Sequence, residues 1–139
     1  MRKVFIAVSS ALAIVSALAT VAPRPVQAQD EGWVVPQEER AKPNPVENTP
    51  EAIAAGKALF AKNCVMCHGE SGKGDGPATQ YVKPAPADIT TAEAQDRMTD
   101  GEIFYKITVG KRPMPAMNRK MDETERWQVV HYVRTLRAP

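Results

Sequence analysis

Cys64-Val65-Met66-Cys67-His68 carries the densest chemistry of the chain and holds both of its cysteines. The spacing is C-x-x-C-H, the pattern of a c-type haem attachment site. In such a site the two thiols add across the two vinyl groups of a porphyrin, and the histidine takes an axial place on the iron. Two intervening residues let one backbone turn present both sulfurs to one edge of the macrocycle. Other chemistries share parts of the pattern. A thioredoxin-like dithiol needs a strand-helix-strand setting, whereas Ala- and Lys-rich helical sequence precedes Cys64. A structural zinc needs four ligands. Outside the motif the one histidine is His131, and adjacent Cys67 and His68 fit a common tetrahedron poorly. A plain disulfide needs only an oxidising compartment. The N-terminus and the downstream methionines favour haem attachment.

An iron held by His68 calls for a second axial partner. From Gly110 the chain reads Gly-Lys-Arg-Pro-Met-Pro-Ala-Met-Asn-Arg-Lys-Met, ending at Met121. A thioether is a soft, neutral ligand that raises the potential of the iron relative to a second histidine. Met114 lies between Pro113 and Pro115, which stiffen the loop around it. By spacing alone Met114 leads Met117 narrowly, and Met117 and Met121 also suit adaptable apolar packing. His131 falls inside a helical pattern, beside its apolar face, where packing is the plainer role. A single C-x-x-C-H excludes a multi-haem protein.

The elements that must position these residues are helical. Thr49-Pro50-Glu51 combines a hydroxyl N-cap, proline at the first helical position and an acid in the first turn. Ile53, Gly56, Phe60 and Cys64 then recur on one face, so this helix runs into the motif. Gly69, Gly72, Gly74 and Gly76 predict a loop. Without a Lys-Ser/Thr ending or a preceding strand, it reads as a flexible connector and not a phosphate cradle. Pro84 and Pro86 favour an extended path. Thr99-Asp100-Gly101-Glu102 has capping-box spacing. Ile103, Phe104, Ile107 and Val109 form the apolar stripe that follows, and Gly110 ends it. Asp122-Glu123-Thr124-Glu125 opens the last helix in the same way. Val129, Tyr132, Val133 and Leu136 sit on its inner face, widened by Trp127 and Val130. Arg134 and Arg137 lie at its C-terminal end, where positive charge is favoured. No strand pattern of useful length occurs, and the expected fold class is all-α.

Residues 1–28 read as a secretory signal. Arg2 and Lys3 precede an uncharged, mostly apolar run over 4–22, and Val26-Gln27-Ala28 supplies small residues for cleavage. An uncleaved membrane anchor is the alternative. Either way the remainder is exported, to the periplasm in a bacterium. Removing Arg2, Lys3 and Arg24 from 18 basic residues leaves 15 against 16 acidic ones. The basic pI therefore does not imply nucleic acid, and no aromatic-basic interleaving suggests it. Cleavage leaves 111 of the 139 residues, enough for one small domain. Residues 29–49 are proline-broken and charged, an extended leader in which Trp33-Val34-Val35 is the apolar exception. Residues 50–139 form the domain, whose small apolar core a covalently held porphyrin would complete.

From Pro50 to Leu136 the sequence resembles class I monohaem cytochromes c. Gly56-Lys57-Ala58-Leu59-Phe60 is similar to the glycine-then-aromatic pattern of the family's N-terminal helix, and Tyr132-Val133-Arg134-Thr135-Leu136 to its C-terminal helix. The resemblance implies that these helices cross tightly around one covalently bound haem c. It implies that Cys64 and Cys67 attach the haem and that His68 and Met114 bind its iron. Gly76-Pro77 looks like the Gly-Pro whose carbonyl holds the axial imidazole. The Gly-rich run and Lys83-Pro-Ala-Pro-Ala-Asp-Ile-Thr90 are similar to a bacterial subset accompanying periplasmic dehydrogenases or terminal reductases. The function implied is electron transfer between Fe(II) and Fe(III), with a periplasmic dehydrogenase, oxidase or reductase as partner. A permanent haem subunit of a dehydrogenase complex is the alternative, followed by an open-site haem enzyme or gas-binding module. Lys106, Lys111, Arg112, Arg119 and Lys120 surround the ligand loop. They read equally as a docking face for an acidic partner or as a solvated surface.

Overall fold

A computed structural model describes residues 32–139, so the expected signal at 1–28 lies outside the described residues. Six helices follow in order: α1 Gln37–Arg40, α2 Pro50–Asn63, α3 Val65–His68, α4 Ala92–Arg97, α5 Asp100–Val109 and α6 Glu123–Thr135. A single 3₁₀ turn, Thr79–Tyr81, lies between α3 and α4. Among the described residues the only β feature is an isolated bridge between Lys111 and Met114. The fold is all-α, as the periodicity implies.

Capping sets the helix starts. Thr49 Oγ1 accepts the Ala52 amide at 3.2 Å and Pro50 occupies the first turn of α2. Asp122 and Glu125 complete a reciprocal capping box at α6, each bond 2.8 Å. At α5 Thr99 Oγ1 accepts the Glu102 amide at 3.1 Å, but the expected box is only half made. The Glu102 carboxylate turns inward instead, to Arg40 at 3.0 Å and Lys106 at 3.5 Å. Its side chain is 2 % exposed, and a carboxylate that deep requires cationic partners.

The core lies where α2, α5 and α6 meet. Ala52, Gly56 and Phe60 recur at every fourth position of α2 and form its buried face. At Gly56 the Gln128 carbonyl and Tyr132 Cβ lie so close that any side chain would collide with α6. One turn on, Phe60 meets Tyr132 edge-on, 5.2 Å between centroids. Phe104 of α5 stacks on Trp127 of α6 at 3.9 Å. Val109, expected on the α5 stripe, is 41 % exposed because the helix ends as the chain turns into the ligand loop.

Arg134 does more than complement the α6 dipole. It donates to the Gln95 and Met98 carbonyls, both at 2.6 Å, and to Asp100 at 2.7 Å. It thereby fixes α4, a helix too short for apolar periodicity to reveal. Residues 32–49 lie against α5 and α6. Asn44 donates to the Trp127 carbonyl at 3.1 Å, and Val46 packs on the core.

Substituting Gly56→Ala tests the crossing. An exposed Gly-to-Ala change in a helix gains about 1 kcal/mol. Here a Cβ against backbone atoms of α6 should reverse the sign, with overpacking costing about 1–3 kcal/mol. Urea unfolding of the holoprotein should show a lower midpoint, and a raised midpoint would refute the close approach.

Candidate haem-attachment site

Helix α2 hands directly over to α3. The Cys64 amide still bonds to the Phe60 carbonyl at 2.8 Å, and the Cys64 carbonyl accepts from both Cys67 (3.1 Å) and His68 (2.9 Å). Cys64, Cys67 and His68 are therefore projected from one turn. A four-residue helix leaves its terminal carbonyls without intrahelical partners, and the glycine-rich loop supplies them. Gly69 donates to Val65 (2.9 Å), Ala78 to Met66 (2.8 Å), Gly76 to Cys67 (3.2 Å) and Gly74 to His68 (2.8 Å). Thr79 Oγ1 adds a bond to the Cys67 carbonyl at 3.1 Å. Gly76 lies directly on the Val65 and Met66 carbonyls, where a Cβ would collide. The loop is thus a backbone clamp on the motif, not the flexible connector its composition suggests. The amides of Gly69, Gly74 and Gly76 are engaged by the motif's carbonyls and so do not face a phosphate. Thr79 escaped the sequence reading because its role exists only once the loop folds back.

The electrostatics separate the rival chemistries. Burial pushes the Cys64 thiol up to about 11, and the neighbouring Cys67 adds to the rise. A redox dithiol requires the opposite, a thiolate stabilised near neutral pH. Among the described residues no three of His, Cys, Asp and Glu converge as a metal cage. Burial lowers the His68 pKa below its ordinary value, which holds the imidazole neutral, the form that binds a metal. His68 Nδ1 is buried without a hydrogen-bond partner. In the Gly76-Pro77 pair that resembles the family's imidazole-holding element, the Pro77 carbonyl accepts from Gln80 Nε2 at 3.3 Å.

The loop from Gly110 to Met121 separates its methionines by depth. Met117 and Met121 are 4 % and 3 % exposed and belong to the core. Met114 is half-buried at the rim of that core, as are Cys64 and Val65. Its amide bonds to the Lys111 carbonyl at 2.8 Å, closing a tight turn. His131 is placed elsewhere, its Nε2 2.8 Å from the Val46 carbonyl. Lys106, counted in the basic cluster from sequence, lies buried beside Glu102 and Met98 Sδ. Lys111, Arg112, Arg119 and Lys120 are exposed.

These residues fit a covalently held porphyrin. Two free thiols leave one turn beside a neutral imidazole. Leu59, Cys64, Val65, Ile89 and Met114 are among the half-buried hydrophobic residues packed against the core. The cytochrome c family model matches residues 53–137, more than half of the chain. The chain belongs to the cytochrome c family: it carries covalently bound haem c with its iron and serves haem-based electron transfer. It is 31 % identical over 83 residues to cytochrome c6 of Cladophora glomerata, covering 60 % of this chain and 87 % of that protein. It is 34 % identical over 86 residues to cytochrome c6 of Chlorolobion braunii, covering 58 % and 86 %. Among solved structures it is similar to a chain of the reducing HAO-like protein complex of Kuenenia stuttgartiensis. That match has 28 % identity and a TM-score of 0.59, and covers 68 % of this chain and 47 % of the other. The chain thus spans about half the length of that protein.

If Cys64 and Cys67 are the attachment points, the double variant Cys64→Ala/Cys67→Ala should release all haem into acidified organic solvent. The wild type should retain it through denaturing electrophoresis. Retention of haem by the double variant would exclude these thiols.

Proposed function

We propose that this protein is an exported, diffusible single-electron carrier in which His68 and Met114 are the two axial ligands. The observation that carries the ligand assignment is the difference in depth among the loop methionines. Met117 and Met121 are committed to the core, whereas Met114 stands at its rim with Cys64 and Val65. The haem, when bound, supplies one-electron chemistry at its iron.

The chain's own residues set the conditions for that chemistry. The His68 ring is kept neutral by burial, so its lone pair is available without losing a proton. The Met114 thioether brings no charge and favours the reduced state relative to a second imidazole. With His68 and Met114 both holding the iron, no open place would be left for a substrate, which suits electron transfer and not substrate turnover at the metal. Exposed Lys111, Arg112, Arg119 and Lys120 on the ligand loop favour an acidic redox partner, drawn by long-range attraction that salt would screen. The pattern of residues 1–28 supports export to the periplasm.

The likeness to one chain of a multi-protein complex supports a second role, as a permanent haem subunit of an oxidoreductase. Solution mass after gentle extraction distinguishes the two: a lone monomer favours the carrier, a co-purifying enzyme the subunit.

Replacing Met114→Ala should abolish the far-red sulfur-to-iron band of the ferric protein and lower its potential. Met117→Ala should cost about 2–5 kcal/mol of stability as a core truncation but keep the band. The reverse pattern would transfer the assignment to Met117.

A further inference from the structure

The family match begins at residue 53, yet residues 33–46 make a continuous set of contacts along α5 and α6. The Val46 carbonyl lies 2.8 Å from His131 Nε2. Arg40 Nη2 reaches the buried Glu102, and the Arg40 carbonyl accepts from Thr99 Oγ1 at 2.7 Å. Gly101 lets the carbonyls of Glu39, Arg40 and Lys42 lie on the first turn of α5, with no space for a Cβ. The strap therefore crosses the start of α5 at α1. At its outer end it reaches the other end of α5. The Trp33 ring centroid is 5.7 Å from Lys106 Nζ and 5.9 Å from Lys111 Nζ. Lys106 lies in the last turn of α5 and Lys111 just beyond it. Lys111 is also the base of the turn that carries Met114, through the 2.8 Å Met114 amide bond.

We propose that Trp33 is a positioning residue for the axial-ligand loop: by holding the Lys111 ammonium against its ring, it restrains the turn that presents Met114. The physical basis is direct. A cation over an indole face is attracted to the ring quadrupole, more strongly when partly desolvated, and Trp33 is half-buried. Lys106 supplies a second cation to the same ring and ties it to α5. Holding Lys111 reduces the freedom of the turn that its carbonyl closes with the Met114 amide, so the thioether leaves its place less often. The strap itself touches neither Met114 nor the motif in any bond described above, which makes its effect indirect.

This rests on Met114 being an axial ligand, and the experiment separates the two claims. Full-length ferric holoprotein is titrated with imidazole, which enters an axial place only when the protein's own ligand leaves it. The far-red band and the helical signal are then melted in parallel. Trp33→Ala should bind imidazole about two- to fivefold more tightly, the range of an exposed cation–π contact. It should also lose the band at a lower temperature, with a smaller change in helix melting. Trp33→Phe, which keeps an aromatic face, should stay within about twofold of wild type. Val46→Ala, which loosens the strap far from the loop, should lower both melting midpoints together. Unchanged imidazole affinity in Trp33→Ala, or band loss only in step with the helices, overturns the positioning role. Persistence of the band in Met114→Ala overturns the ligand assignment and this inference with it. Loss of the band there, with Trp33→Ala unmoved, overturns the inference alone.

Discussion

The crossing of α2 and α6 at Gly56 is the constraint on which the remaining structure depends. A hydrogen in place of a side chain lets the Gln128 carbonyl lie against α2. That approach brings Phe60 onto Tyr132, one turn further along. Because the Cys64 amide still bonds to the Phe60 carbonyl, and the Cys64 carbonyl accepts from Cys67 and His68, fixing Phe60 also constrains Cys64 and the turn bearing Cys67 and His68. A chain this small buries little apolar surface on its own. Its tightest helix contact therefore also sets where Cys64, Cys67 and His68 stand relative to the core.

The backbone completes what the crossing begins. A motif helix of four residues would expose its carbonyls, and unpaired carbonyls near a buried site are costly. The glycine-rich loop answers each with an amide, and needs glycine at Gly76 because its backbone lies against the carbonyls it serves. The buried Glu102 plays a comparable part at the start of α5. Its charge is tolerable only with cations at hand, and these come from Arg40 in the N-terminal segment and Lys106 on its own helix. One buried carboxylate thus joins a segment outside the family match to the helix that leads into the ligand loop.

Legibility in the sequence followed the range of the interactions involved. The capping box at Asp122 and Glu125 was readable because both partners lie within one turn. The similar spacing at Thr99 and Glu102 misled, since Glu102 is claimed by Arg40, 62 positions away. Lys106 read as a surface charge, and only the placement of Glu102 and Trp33 beside it explains its burial. The role of Arg134 was visible only as a dipole effect, because its partners Gln95, Met98 and Asp100 come from a different part of the chain. Spacing alone left Met114 and Met117 nearly equivalent and the family resemblance favoured Met114; in the structure they differ in depth of burial.

By itself the sequence pointed to covalently bound haem c, since the C-x-x-C-H spacing depends only on one turn of backbone. It also determined the helical class and the starts of the major helices, through periodicity and caps that act within a few residues. Tertiary structure alone decided which loop methionine stays out of the core, how the glycine loop clamps the motif and where Trp33 and His131 settle. Those outcomes depend on contacts between residues far apart in the chain, and such contacts exist only after the helices have chosen their crossing.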